Sequence, residues 1–125
     1  MKKILVVEDN EMNLDMLTRR LARAGFEVAS ARTGVGIVER VRQERPDLVL
    51  MDLGLPDVDG FAATAALRAE PDLRGLPIVA LTAHALTTDR ERALAVGCDD
   101  FATKPVELSS LLERMRKLLD GRERG

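Results

Sequence analysis

The chain has 125 residues, 46% hydrophobic and 32% charged, which suits one domain with its own core and excludes both a disordered segment and a pair of ordinary domains. Its 21 acidic residues outnumber its 19 basic ones, and a net charge of −2 excludes a generally basic nucleic-acid binder. One cysteine, Cys98, excludes an internal disulfide, three phenylalanines without Tyr or Trp exclude a base-stacking platform, and no apolar run reaches the roughly 18–20 residues of a membrane span.

Residues 4–7 are apolar throughout rather than alternating, as a strand reads when both sheet faces are covered. The run turns acidic at Glu8 and Asp9, too soon for a signal-peptide core, so a cytoplasmic location is expected. Leu14, Leu17, Leu21 and Ala24 then recur at helical spacing, and Gly25 is a natural stop. Residues 27–30 read as a weaker strand. A helix over 34–44 carries Ile37, Val38 and Val41 and ends before Pro46. Residues 48–51 are the second wholly apolar run, followed by Asp52. An alanine-rich helix over 59–69 opens at Asp59-Gly60 and stops before Pro71. Residues 78–81 are the third apolar run, followed by Thr82. A short, weakly amphipathic helix over 88–96 closes at Gly97, and a strand over 101–103 leads to Lys104. The last helix, 107–119, has one stripe of Leu108, Leu111, Leu112, Met115, Leu118 and Leu119, with Gly121 beyond it. Five strands alternating with five helices predict an α/β fold. It is a doubly wound five-stranded parallel sheet in the order 2-1-3-4-5, flavodoxin-like, with the domain over 1–120 and a polar tail over 121–125.

In such sheets ligands sit beyond the carboxyl ends of the strands, where strand order reverses. Strands 1 and 3 are then neighbours, so Asp9 and Asp52 are expected one strand spacing apart, roughly 5 Å. The backbone of Lys104 is about 10 Å from Asp52, within reach of its long side chain. Glu8, Asp9 and Asp52 repel one another, each pair about 5 Å apart costing about 3 kcal/mol at an effective dielectric of about 20. Lys104 offsets part of this. A divalent cation offsets more, and all-oxygen ligands select a hard ion such as Mg²⁺. A carboxylate held by a metal, a lysine and a hydroxyl suits phosphoryl transfer onto the carboxylate. Taken singly, these residues read as caps, turn residues or surface charges. Their joint placement at adjacent strand ends points to a site.

The motifs are Ile4-Leu5-Val6-Val7-Glu8-Asp9-Asn10, Leu48-Val49-Leu50-Met51-Asp52-Leu53-Gly54-Leu55-Pro56 with Asp59-Gly60, Ile78-Val79-Ala80-Leu81-Thr82-Ala83, and Phe101-Ala102-Thr103-Lys104-Pro105. In this order the sequence resembles the receiver domain of two-component response regulators over essentially its whole length. The resemblance implies that Asp52 is the phosphoacceptor and that Asp9, Asp52 and the backbone carbonyl of Gly54 hold Mg²⁺, with Glu8 acting through water. It implies that Thr82 and Lys104 contact the phosphoryl group, and that Lys104–Pro105 is a cis peptide. Thr82 and Phe101 would form the switch, with Phe101 lacking the hydroxyl of the commoner Tyr. The chain would assist its own phosphorylation and dephosphorylation rather than act as an enzyme on other substrates. Its partners would be a sensor histidine kinase or histidine phosphotransfer protein, and a downstream protein meeting the face of helix 4, strand 5 and helix 5. Val7-Glu8-Asp9-Asn10 with Asn13 resembles stand-alone and hybrid-kinase receivers more than those joined to DNA-binding domains. Residues 84–125 hold eight basic and eight acidic side chains, so no nucleic-acid contact is expected there.

The competing readings are weaker. A pseudo-receiver, binding without phosphorylation, does not need the full set of Asp9, Asp52, Thr82 and Lys104. A Mg²⁺-dependent phosphohydrolase needs a cap domain or substrate pocket that the sequence does not suggest. Asp57-Val58-Asp59-Gly60 matches the DxDG pattern of dehalogenase-type phosphatases only in writing, because the apolar strand ends at Asp52. A flavin phosphate after strand 1 is opposed by Glu8-Asp9-Asn10-Glu11. His84, the only histidine, reads as a loop residue over the site, and Cys98 as a small packed side chain.

Overall fold

A computed structural model describes residues 1–83 and 87–124. The three wholly apolar runs form β1 (Lys3–Val7), β3 (Leu48–Asp52) and β4 (Ile78–Thr82). Between and around them come α1 (Glu11–Arg23), β2 (Glu27–Ala31), α2 (Ile37–Glu44), α3 (Gly60–Arg68), α4 (Thr87–Val96), β5 (Asp100–Thr103) and α5 (Leu108–Arg124). All pairings are parallel, in the order β2-β1-β3-β4-β5, as the alternation predicts.

Alternate residues of the interior strands feed two separate cores, which is why these strands show no polar face. Leu5, Val7, Val49, Met51, Ile78 and Ala80 pack with Ile37, Val41, Ala63, Leu67 and Ala93 of α2, α3 and α4. Ile4, Val6, Leu48, Leu50, Val79 and Leu81 pack with Leu14, Leu17 and Leu21 of α1 and Leu111, Met115 and Leu119 of α5. Fully burying one such leucine contributes about 1.5–3 kcal/mol. The edge strands β2 and β5 are only half-buried, which explains their weaker sequence signal.

Several boundaries differ from the sequence reading, each for a local reason. Asp52 and Thr82 are the last residues of their strands, because the ladder runs on through Asp52 opposite Leu81 and Thr82 opposite Thr103. Helix α2 starts at Ile37 rather than at 34, since Gly36 takes φ +69°, outside the right-handed helical region. Helix α5 passes the expected stop at Gly121 and reaches Arg124. An interior glycine costs about 1 kcal/mol relative to alanine, and no proline follows to break the helix. A short 3₁₀ turn, Pro71–Leu73, has no counterpart in the sequence pattern.

Two side chains hold helix starts near the functional edge. Asn10 accepts from the backbone N–H of Asn13 at 3.0 Å, and Asp59 accepts from that of Ala62 at 2.8 Å. The DxDG pattern is thus explained by a helix cap on α3. Asp59→Ala is expected to lower stability by about 1 kcal/mol, read as a lower urea midpoint at unchanged slope. At the opposite edge of the sheet, Arg68 donates to the carbonyls of Gly97 (2.9 Å), Leu73 (2.9 Å) and Arg74 (3.1 Å), and to the Asp99 carboxylate (2.9 Å). The same Asp99 oxygen accepts from the N–H of Ile78 at 2.8 Å. One guanidinium therefore ties the end of α3 to the loops before β4 and β5. Cys98 is buried, 3.7 Å from the Thr64 hydroxyl.

Candidate functional site

Asp9 follows β1, Asp52 ends β3, Thr82 ends β4 and Lys104 follows β5, so the parallel sheet delivers all four to one edge. Oxygens of Glu8, Asp9 and Asp52 lie within 4.8 Å of one another. The Lys104 ammonium spans the gap predicted for it, 2.7 Å from Glu8 Oε2 and 3.2 Å from Asp52 Oδ2. The other Asp52 oxygen, Oδ1, accepts from the N–H of Gly54 at 2.9 Å. Thr82 is buried at 5% exposure, and its carbonyl accepts from the N–H of Lys104 at 2.7 Å. Lys104–Pro105 is cis. A cavity of about 420 Å³ opens over this cluster, with Asp9, Asp52, Gly54, Thr82 and Lys104 in its wall.

Burial decides the electrostatics. Glu8 is only 1% exposed, and desolvation raises its pKa above the ordinary carboxylate range. The hydrogen bond from Lys104 pulls it back without cancelling the rise, and the neighbouring Asp52 pushes it further up. Burial alone would lower the pKa of Lys104, but its hydrogen bond to Glu8 and the charges of Asp52 and Glu8 outweigh that, leaving the ammonium more strongly protonated than usual. A carboxyl whose folded pKa exceeds its unfolded value binds more protons in the native state, so the Glu8 contribution to metal-free stability should fall as pH rises from about 4 through the raised value. Glu8→Gln is expected to flatten that fall, measured as urea midpoints across the same pH range in chelator.

Three carboxylates against one ammonium leave an all-oxygen donor set with excess negative charge. This set fits a hard divalent cation such as Mg²⁺. The same fold, motif order and strand-end chemistry recur in known proteins. Residues 4–116 match the response regulator receiver domain. The chain belongs to that family. It is therefore a signalling domain of two-component systems rather than a classical enzyme.

The receiver is 35% identical over 118 residues to the polar-differentiation response regulator DivK of Brucella anthropi, covering 94% of this chain and 96% of that one. It superposes with a TM-score of 0.87 and 36% identity on the receiver domain of the sensor histidine kinase PA1611 of Pseudomonas aeruginosa PAO1, over 95% of this chain and 98% of that one. That structure has a magnesium ion coordinated in its active-site cleft. A further match, TM-score 0.83 and 32% identity over 90% of this chain and 85% of that one, is to a co-crystal structure from Saccharomyces cerevisiae. It holds the histidine phosphotransfer protein Ypd1 and the receiver domain of its downstream response regulator Ssk1.

The remaining receiver residues fall in two groups. Phe101 is half-buried on β5, packed against the α2–α3–α4 core and lining a groove with Arg90 of α4 and Ser110 and Arg114 of α5. His84 lies outside the described residues. Three residues reach the cavity from helices without having been assigned a place in it from the sequence. Asn13 donates to Glu8 Oε1 at 3.4 Å, while Phe61 of α3 and Asp89 of α4 line the wall. Asn13 was accessible to sequence reasoning, being one helical turn beyond its cap Asn10. Phe61 and Asp89 carried no such signal. No helix among the described residues is long and apolar enough to cross a membrane.

Proposed function

We propose that this receiver works in the cytoplasm as a phosphorylation-controlled switch, with Asp52 as its phosphoacceptor and residues 1–120 as the working unit. The observation that carries this reading is the Asp52 carboxylate, 3.2 Å from Lys104 at the floor of an open acidic cavity. The donor is the phosphohistidine of a sensor histidine kinase or histidine phosphotransfer protein. A carboxylate oxygen of Asp52 attacks phosphorus, the P–N bond to the donor imidazole breaks, and the imidazole leaves with that electron pair. The Lys104 ammonium and the Thr82 hydroxyl then hold the transferred oxygens. Mg²⁺, held by Asp9, Asp52 and the Gly54 carbonyl with Glu8 one water away, would supply positive charge against those oxygens. Until then Lys104 occupies the same negative field and bridges Asp52 and Glu8 without a metal.

The phosphoryl group carries about 1.5–2 negative charges in place of the single charge of the Asp52 carboxylate. Thr82 is drawn toward it, and Phe101 follows into the space beside β4, shifting a pre-existing equilibrium. The signal leaves through the face of α4, β5 and α5, to a protein partner and not to nucleic acid. The Ypd1–Ssk1 co-crystal supports a histidine phosphotransfer protein as the donor. The test is intact-mass measurement after incubation with Mg²⁺ and a small acyl-phosphate donor. One base-labile phosphoryl adduct per chain is expected with Mg²⁺ and none in chelator. A chain that stays unmodified in Mg²⁺ would establish the pseudo-receiver instead.

A further inference from the structure

The wall of the cavity facing α4 contains a contact that the phosphoacceptor chemistry does not require. The guanidinium carbon of Arg92 lies 4.0 Å from the centroid of the Phe61 ring. Phe61 belongs to α3 and lines the cavity over Asp52, as does Asp89 of α4, one helical turn before Arg92. Among its described side chains, helix α4 adds only Ala93 and the partly buried Val96 to the core. Its run Asp89-Arg90-Glu91-Arg92 is wholly charged, Ala93 is buried, and Leu94 is 48% exposed. An alanine supplies little apolar area compared with the leucines that anchor α1 and α5. The stacked arginine therefore supplies a specific tie between α3 and α4 on the cavity side.

We infer that Arg92, through the Phe61 ring, is a positioning residue that keeps the α4 side of the cavity closed and so sets the lifetime of the phosphoryl group on Asp52. This rests on the phosphoacceptor reading above. Loss of the phosphoryl group is hydrolysis. Water oxygen adds to phosphorus, the bond from phosphorus to the Asp52 oxygen breaks, and inorganic phosphate carries off the water's oxygen and protons. Its rate depends on how freely water reaches phosphorus from the open side. A ring clamped beneath a guanidinium excludes water from one wall, whereas a ring released from it admits water. The phosphoryl group's negative charge also attracts the Arg92 cation toward the cavity, so the clamp tightens in the phosphorylated state. Arg90, on the same helix, lines the groove beside Phe101, so the clamp links phosphoryl lifetime to the position of the output face.

The experiment follows the decay of the adduct by intact mass after removal of the donor, in the full chain with Mg²⁺. Arg92→Ala and Phe61→Leu are each expected to shorten the lifetime about two- to five-fold, the scale of an exposed cation–π contact. Arg92→Lys keeps a cation over the ring and is expected to restore most of the wild-type lifetime. The double variant is expected to lose no more than the larger single loss. Thermal melts of the same proteins separate this from general loosening, which Arg92→Lys would not rescue. Unchanged lifetimes in Arg92→Ala, or additive losses in the double variant, would overturn the inference while leaving the phosphoacceptor reading intact. A wild-type chain that takes no phosphoryl group would overturn that reading, and this inference with it.

Discussion

Asp52→Asn is expected to take up phosphoryl groups more than about a thousand-fold more slowly than the wild type, because an amide keeps the shape of the side chain and removes the nucleophile. The measurement is adduct mass against time with Mg²⁺ and an acyl-phosphate donor. The same substitution is expected to raise metal-free stability by about 1–2 kcal/mol. It removes one of the charges crowded within 4.8 Å and leaves Lys104 paired with the buried Glu8 at 2.7 Å. The stabilising effect of added Mg²⁺ should shrink in parallel, since one ligand charge is gone. An Asp52→Asn chain phosphorylated at the wild-type rate would place the acceptor elsewhere. One that is less stable without metal would mean that the Asp52–Lys104 attraction outweighs the repulsion from Glu8.

The second large effect is expected from Gly60→Ala. A Cβ at Gly60 would press on the carbonyl oxygen of Asp52, lie 2.6 Å from Leu53 Cα and 2.9 Å from the Asp52 carbonyl carbon. All three are backbone atoms, so no side-chain rotation relieves the clash. The cost is about 2–4 kcal/mol, or roughly a 10 °C fall in melting temperature for a chain of this length. Relief requires α3 to move off the segment that carries Asp52, so the phosphorylation rate is expected to fall with stability. Gly75→Ala is the control. A Cβ there meets nothing within 4 Å at an ordinary φ, and the change should stay within about 0.5 kcal/mol. Equal melting temperatures for the two variants would show that the β3–α3 connection yields easily.

The strand order was readable because the three interior strands are buried on both faces, and a strand covered on both sides needs an unbroken apolar run. The edges were harder. Strand β2 has one partner and half-exposed side chains, so its composition carries little. The start of α2 was misplaced because a left-handed glycine and a helical glycine look alike in sequence. At the site, Lys104 was readable from the Phe101–Pro105 motif it belongs to, and Asp52 and Thr82 because each closes an apolar strand. Asp9 was readable beside Glu8 for the same reason. Phe61 was not, since the second residue of an alanine-rich helix is an ordinary place for an apolar ring. The Arg68 tie was also invisible, because three of its four acceptors are backbone carbonyls, which every residue has.

The hydrogen bond between Lys104 and Glu8 joins residues 96 positions apart. Glu8 is therefore made well before Lys104. At about 5–20 residues per second, the chain spends many seconds with its acidic residues made and its lysine not yet added. A nascent chain, or a fragment cut before β5, carries every carboxylate of the site and lacks the cation that lets them sit together. Competence to receive a signal is thereby tied to completion of the fold. Unfinished copies should be silent, rather than low-grade competitors for the phosphoryl donor.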